Sequence, residues 1–189
     1  MPLVVGTTGG NDFVIRLESA CPMTALRNHN FEITPYIGAL PLQFGMSAEA
    51  VHALLGAPQQ ISTLWNKSGF SHSWTNPDLN IGFSNDDALN HVGLIPNGIS
   101  VSLNGTEIWT RDSCVDPNPT LLRFDASPRE CFGFLVYLEI GIATTGFHDD
   151  DSSQHALCVF ARGAYDDLLS KSTTPDLSRY SNPKSKNGG

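Results

Sequence analysis

The sequence predicts an α+β domain, mainly antiparallel sheet with a few short helices, whose strands fall into two related helix-plus-sheet halves. Three observations lead there. First, 17 glycines and 12 prolines are scattered through 189 residues, a density of chain punctuation that excludes a helical bundle or coiled coil and favours short strands with tight turns. Second, one helix with both ends specified precedes four strand-like runs separated by turn residues. Third, two pairs of segments echo each other at corresponding places in the two halves. Apolar residues make up 40% of the chain and charged residues 16%, below the ~25% usual for soluble domains, so charge-driven disorder is excluded for most of it.

Residues 1–35 read as an N-terminal segment with one strand-like piece, Phe13 to Leu17. The domain proper spans 36–170. Its clearest local signal is Leu42-Gln-Phe-Gly-Met-Ser-Ala-Glu-Ala-Val-His-Ala-Leu-Leu-Gly-Ala-Pro58. Ser47 is placed to cap a helix, Glu49 favours the positive end of its dipole, and Val51, Leu54 and Leu55 share one face. Gly56 suits the C′ position, and Pro58 forbids continuation. Strand-like runs follow at 60–66, 70–75, 79–84 and 88–95. The turn residues between them are Asn66-Lys-Ser-Gly69, Asn76-Pro-Asp78 and Asn85-Asp-Asp87, as in an antiparallel meander.

The candidate halves are 36–96 and 97–170. The second opens with Val101 to Trp109, where Asn104-Gly105 between two β-rich runs predicts a hairpin. Pro117 and Pro119 precede a short helical turn at Leu121 and Leu122. The apolar stretch Phe132 to Ile142, interrupted by Gly133 and Gly141, reads as one central strand or a pair. Residues 156–161 form another strand, and 164–170 one or two helical turns. The tract 171–189 has no apolar period and reads as a flexible tail. The internal echoes pair Leu54-Leu-Gly-Ala-Pro58 with Phe124-Asp-Ala-Ser-Pro128, and Ile81-Gly-Phe-Ser-Asn-Asp-Asp87 with Thr145-Gly-Phe-His-Asp-Asp-Asp151.

The formal charge is −8. Lys171, Arg179, Lys184 and Lys186 against Asp176 make the last nineteen residues net positive, so the body is more acidic than the total. Such a field repels nucleic-acid backbones and anionic lipid and steers cationic partners inward. No apolar run reaches the ~20 residues of a membrane span. Cys21, Cys114, Cys131 and Cys158 form no C-x-x-C pair, which suits a reduced cytoplasmic protein; a Cys114 to Cys131 disulfide is the alternative for an oxidising compartment.

No nucleophile elbow, paired-carboxylate constellation or phosphate-cradling loop stands out, so neither enzymatic activity nor a cofactor is expected. The densest polar cluster is Phe147-His-Asp-Asp-Asp-Ser-Ser-Gln-His155. Read as a solvated hairpin tip, it offers Asp149, Asp150 and Asp151 to a cationic partner, joined by Asp86 and Asp87 and by an aromatic anchor surface at Trp65 and Trp74. Read as a metal site, it offers His148 and His155 as ligands for a metal-dependent hydrolase. A structural assembly module is the third class.

The segment Gly45-Met-Ser-Ala-Glu-Ala-Val-His-Ala-Leu-Leu-Gly-Ala-Pro58 resembles a signature shared by two bacterial groups. One is the small lipoprotein of the outer-membrane β-barrel assembly machine. The other comprises cytoplasmic proteins that look like immunity partners of polymorphic or contact-dependent toxins. Glu18-Ser-Ala-Cys21 lacks the aliphatic residue three before the cysteine expected of the lipoprotein. The second group is also similar in Asn104-Gly-Thr-Glu-Ile-Trp109, Phe132-Gly-Phe-Leu-Val136, Thr145-Gly-Phe-His-Asp-Asp150 and Val159-Phe-Ala-Arg-Gly163. This resemblance implies an immunity protein that covers the active surface of a cognate protein toxin. An acidic body suits a basic nuclease as that toxin, with no direct contact to nucleic acid or membrane.

Overall fold

The computed structural model describes residues 29–64 and 69–181. The Phe13 to Leu17 strand, Trp65 and Cys21 lie outside them. Three short strands open the described chain: β1 (Asn30–Thr34), β2 (Gly38–Leu40) and β3 (Leu42–Gln43). Helix α1 (Ala48–Leu55) follows, then the meander β4 (Gln60–Thr63), β5 (Gly69–Thr75), β6 (Asp78–Ser84) and β7 (Leu89–Leu94). The second half repeats the order: hairpin β8 (Ser100–Leu103) and β9 (Thr106–Trp109), helix α2 (Asn118–Leu121), then the meander β10 (Arg129–Cys131), β11 (Phe134–Tyr137), β12 (Ile142–Thr145) and β13 (Ala156–Phe160). Helices α3 (Asp166–Leu169) and α4 (Ser178–Ser181) complete it.

The two meanders form one eight-stranded antiparallel sheet in the order β10-β11-β12-β13-β7-β6-β5-β4, joined where β13 lies antiparallel to β7. The remaining strands form a five-stranded sheet, β3-β2-β1-β8-β9, in which β1 and β8 are parallel. Both echoed segment pairs occupy matching places. Each first member of the pair, ending at Pro58 or Pro128, leads from a helix into a meander; each second member carries the third meander strand into its acidic turn.

Cross-strand partners line up in rows across the large sheet. One row is Leu135, Thr144, Leu157, Leu94, Leu79 and Trp74; the next inner-face row is Tyr137, Ile142, Val159, Val92, Ile81, His72 and Ile61. Because successive side chains of a strand alternate faces, these rows share one face and, Ile61 at the edge apart, bury together. With Phe31, Ile33, Val101 and Leu103 of the small sheet, Val51 of α1 and Leu121 of α2, their apolar members other than Ile61 make one core. The opposite face under β10–β13 holds a second cluster, Cys131, Val136, Ala143 and Phe160, covered by Tyr36, Tyr165 and Leu169.

Helix α1 begins and ends as its sequence requires. The Ser47 hydroxyl accepts from Ala50 N–H at 3.2 Å, a cap worth about 1 kcal/mol. Gly56 closes the helix at φ +81°, where side-chain-bearing residues are strained. In the β8–β9 hairpin Asn104 and Gly105 take φ +49° and +74°, the left-handed pair of a type I′ turn.

One open reading is decided and one expectation needs correction. Of the two readings of the stretch 132–142, the pair of strands is the one formed: Phe132 and Gly133 both turn left-handed to close the β10–β11 hairpin, and Gly141 turns the chain again before β12. The tract from 171 is not a flexible tail as far as residue 181. Thr173 bridges Glu130 on the outer side of β10, the Arg129 guanidinium donates to the Ser172 hydroxyl and carbonyl, both at 3.1 Å, and Leu177 and Tyr180 pack on the core. Two apolar side chains and an unfilled strand edge are enough to dock it without any helical period. Among the described residues no helix is long and apolar enough to cross a membrane.

Candidate functional site: one end of the large sheet

The partner row Cys131, Phe134, Thr145 and Ala156 marks the end of the second meander. Directly beyond it project the β10–β11 turn, Phe132-Gly133, and the loop 146–155, so the two lie side by side. Phe132 is 67% exposed and sits at φ +50°. A bulky residue in that region costs roughly 1–3 kcal/mol relative to an extended one, and glycine or asparagine is the usual occupant. The Lys171 ammonium lies 5.7 Å from the Phe132 ring centre, within range of a weak cation–π attraction.

The neighbouring loop is held firmly. Phe147 is buried, stacking on Trp109 at its core side and on the His155 ring with centroids 4.0 Å apart. Asp151 caps the short 3₁₀ turn Ser152–Gln154, accepting from Ser153 N–H at 3.0 Å and from the Ser153 and Gln154 side chains; these hydrogen bonds hold its carboxyl below the usual range. Arg179 of α4 pairs with Asp150 at 2.8 Å and also donates to the His148 carbonyl. Three carboxylates against one guanidinium leave this loop anionic. Rings and caps fix its shape, so its charge is presented in a defined arrangement beside an exposed aromatic side chain.

The expected site residues do not come together as one surface. Because β7 and β13 are antiparallel and each is entered from its acidic turn, Asp86 and Asp87 lie at the opposite end of the sheet from Asp149–Asp151. Asp87 has a local role as well, its carboxylate accepting from Ala48 N–H at 3.1 Å, so that it and Ser47 together satisfy the first turn of α1. Trp74 is not an anchor surface. It is 2% exposed, and its indole N–H reaches the Gly56 carbonyl at 3.3 Å. The alternation of β5 places Phe70, His72 and Trp74 on the same inward face.

Sequence reasoning missed His72, buried at 3% exposure. Its Nδ1 lies 2.9 Å from Nε2 of His52 on α1, among the rings of Phe70, Trp74 and Phe83. Burial, then the neighbouring imidazole, push the pKa of His72 below the usual value, which favours its neutral form in the contact that ties helix to sheet. Also missed was a buried polar network around Asn118. Its carbonyl accepts from Tyr137 OH at 3.0 Å and Thr144 OH at 2.7 Å, and its amide donates to Tyr180 OH at 3.0 Å. Burial raises the adjacent Asp116 carboxyl. An asparagine beside Pro117 and Pro119 carries no signal of such burial.

Among the described residues no group of three or more histidine, cysteine, aspartate or glutamate side chains could hold a metal ion. Cys114 is exposed and Cys131 buried, and no disulfide joins them. Comparison with family models, curated proteins and solved structures finds no match.

Proposed function

We propose that this chain is a non-enzymatic, acidic binding protein, acting in the cytoplasm as an immunity protein that neutralises a cognate toxin by covering its active surface. The observation that carries the reading is Phe132, an aromatic side chain held out at a hairpin tip in a backbone conformation that opposes stability. Buried aromatic anchors supply a large share of binding energy at protein interfaces, and a costly conformation at an exposed position is the pattern of a residue kept for contact rather than folding. The adjoining Asp149–Asp151 loop supports a cationic partner such as a basic nuclease, whose positive substrate groove carboxylates can occlude. The docked loop and hairpin belong to one rigid sheet end, so little ordering cost accompanies binding.

Reversal of Asp149, Asp150 and Asp151 to lysine tests the electrostatic half of this reading. Against a basic nuclease toxin of the proposed class, the variant's association rate should fall at least about tenfold at low ionic strength, and raising the salt should narrow the gap. Stopped-flow measurement on both proteins reads it directly. Equal rates at low salt would remove the loop from the interface.

A further inference from the structure

We propose that β4 is an interface between two copies of this chain, the strands pairing antiparallel across a two-fold axis so that two eight-stranded sheets become one continuous sheet. β4 is an outermost strand of the large sheet, and alternate residues of such a strand turn their N–H and C=O groups away from the sheet. At the other outermost strand, β10, the chain meets this demand itself: Glu130 N–H donates to Thr173 O at 2.9 Å and Thr173 N–H to Glu130 O at 2.8 Å. Among the described residues β4 has no such bridge.

The side chains point the same way. The inner-face row Tyr137, Ile142, Val159, Val92, Ile81, His72 runs across the sheet and ends on β4 at Ile61, which is 63% exposed. Another strand beside β4 would continue that row and cover Ile61. Natural edges of this kind are usually protected by a charge, a proline or a bulge. From Gln59 to Leu64 the sequence is Gln-Gln-Ile-Ser-Thr-Leu, with none of the charged residues or prolines that would protect it.

Charge selects the second copy as the occupant. With a net charge of −8, two molecules repel across most approaches, whereas Ala53 to Leu64 contains no ionisable side chain. This edge can therefore meet itself without a like-charge penalty, and a two-fold antiparallel pairing makes each contact twice. The β7–β13 junction already joins the two halves of one chain in the same antiparallel manner. Four residues a side bury less than the ~1,200 Å² of a standard stable interface, so the dimer is weak and concentration-dependent.

Sedimentation velocity on the full chain, from micromolar to millimolar protein, should show monomer passing to dimer. Ile61→Lys, and independently Thr63→Lys, should raise the dimer dissociation constant at least about tenfold, while the melting temperature shows that each variant is folded. Phe132→Asn, which removes the other most exposed apolar side chain, should leave the dimer intact. A parent that stays monomeric at millimolar concentration would overturn the proposal. So would a dimer that persists in both folded lysine variants, or one abolished by Phe132→Asn.

Discussion

Ending the chain after Ser170 is expected to lower its stability by roughly 3–6 kcal/mol relative to a chain ending at Ser181. The removed segment contributes the partly buried side chains of Leu177 and Tyr180, each worth about 1–2 kcal/mol at partial burial. It also contributes the Thr173 bridge to Glu130 and the Ser172 contacts of Arg129. Its loss leaves the buried Asn118 amide without Tyr180 OH, an unsatisfied donor costing about 1–3 kcal/mol. The exposed Arg179–Asp150 pair adds little. For a domain of this size the fall in melting temperature is on the order of 10 °C, read by circular dichroism. Superimposable unfolding curves for the two chains would show that residues 171–181 do not dock.

Asn118→Ala should cost about 3–5 kcal/mol, nearly as much as the truncation, from a single side chain. Asn118 is fully buried and holds three hydroxyls, those of Tyr137, Thr144 and Tyr180. Alanine leaves the Tyr137 and Thr144 hydroxyls in the core without their acceptor, and the penalty of stranded buried polar groups outweighs the loss of the bonds themselves. The network thus ties α2 to strands β11 and β12 and to α4 at one point. Adding Tyr137→Phe and Thr144→Val to the alanine variant should recover part of the loss, because the stranded hydroxyls are then gone. Chemical denaturation of the single and triple variants measures both quantities. A triple variant less stable than Asn118→Ala by the sum of the separate effects would contradict the network account.

What was legible in the sequence follows the range of each interaction. Helix α1 is specified within twelve residues by Ser47, the Val51 and Leu54 face, Gly56 and Pro58, and the Asn104-Gly105 hairpin by two. The first meander was readable because its turns are local. The parallel pairing of β1 with β8 was not, since Phe31 and Val101 are seventy positions apart and nothing local names a partner. Trp74 could have been assigned inward from the alternation of Phe70, His72 and Trp74, but aromatic content suggested a surface. Asp87 was read by its charge, whereas its use is set by the N–H group of Ala48, thirty-nine residues earlier. The 171–181 segment escaped because Leu177 and Tyr180 form no period. The exposure of Phe132 was hidden inside an apolar run that reads as core until the left-handed turn is seen.

The proposed function requires that Phe132 be kept for contact rather than for folding, and Phe132→Asn measures both together. Asparagine tolerates the left-handed backbone at this position, so the variant should melt at the same temperature as the parent or slightly higher, by up to about 1 kcal/mol of added stability. Binding to the proposed cationic partner should weaken at least about tenfold, through faster dissociation, as loss of an anchor does. Isothermal titration of parent and variant, with melting curves alongside, gives the decisive pair of numbers. A variant that binds as tightly as the parent, or one that loses stability in step with affinity, would contradict the assignment of this hairpin tip as the binding anchor.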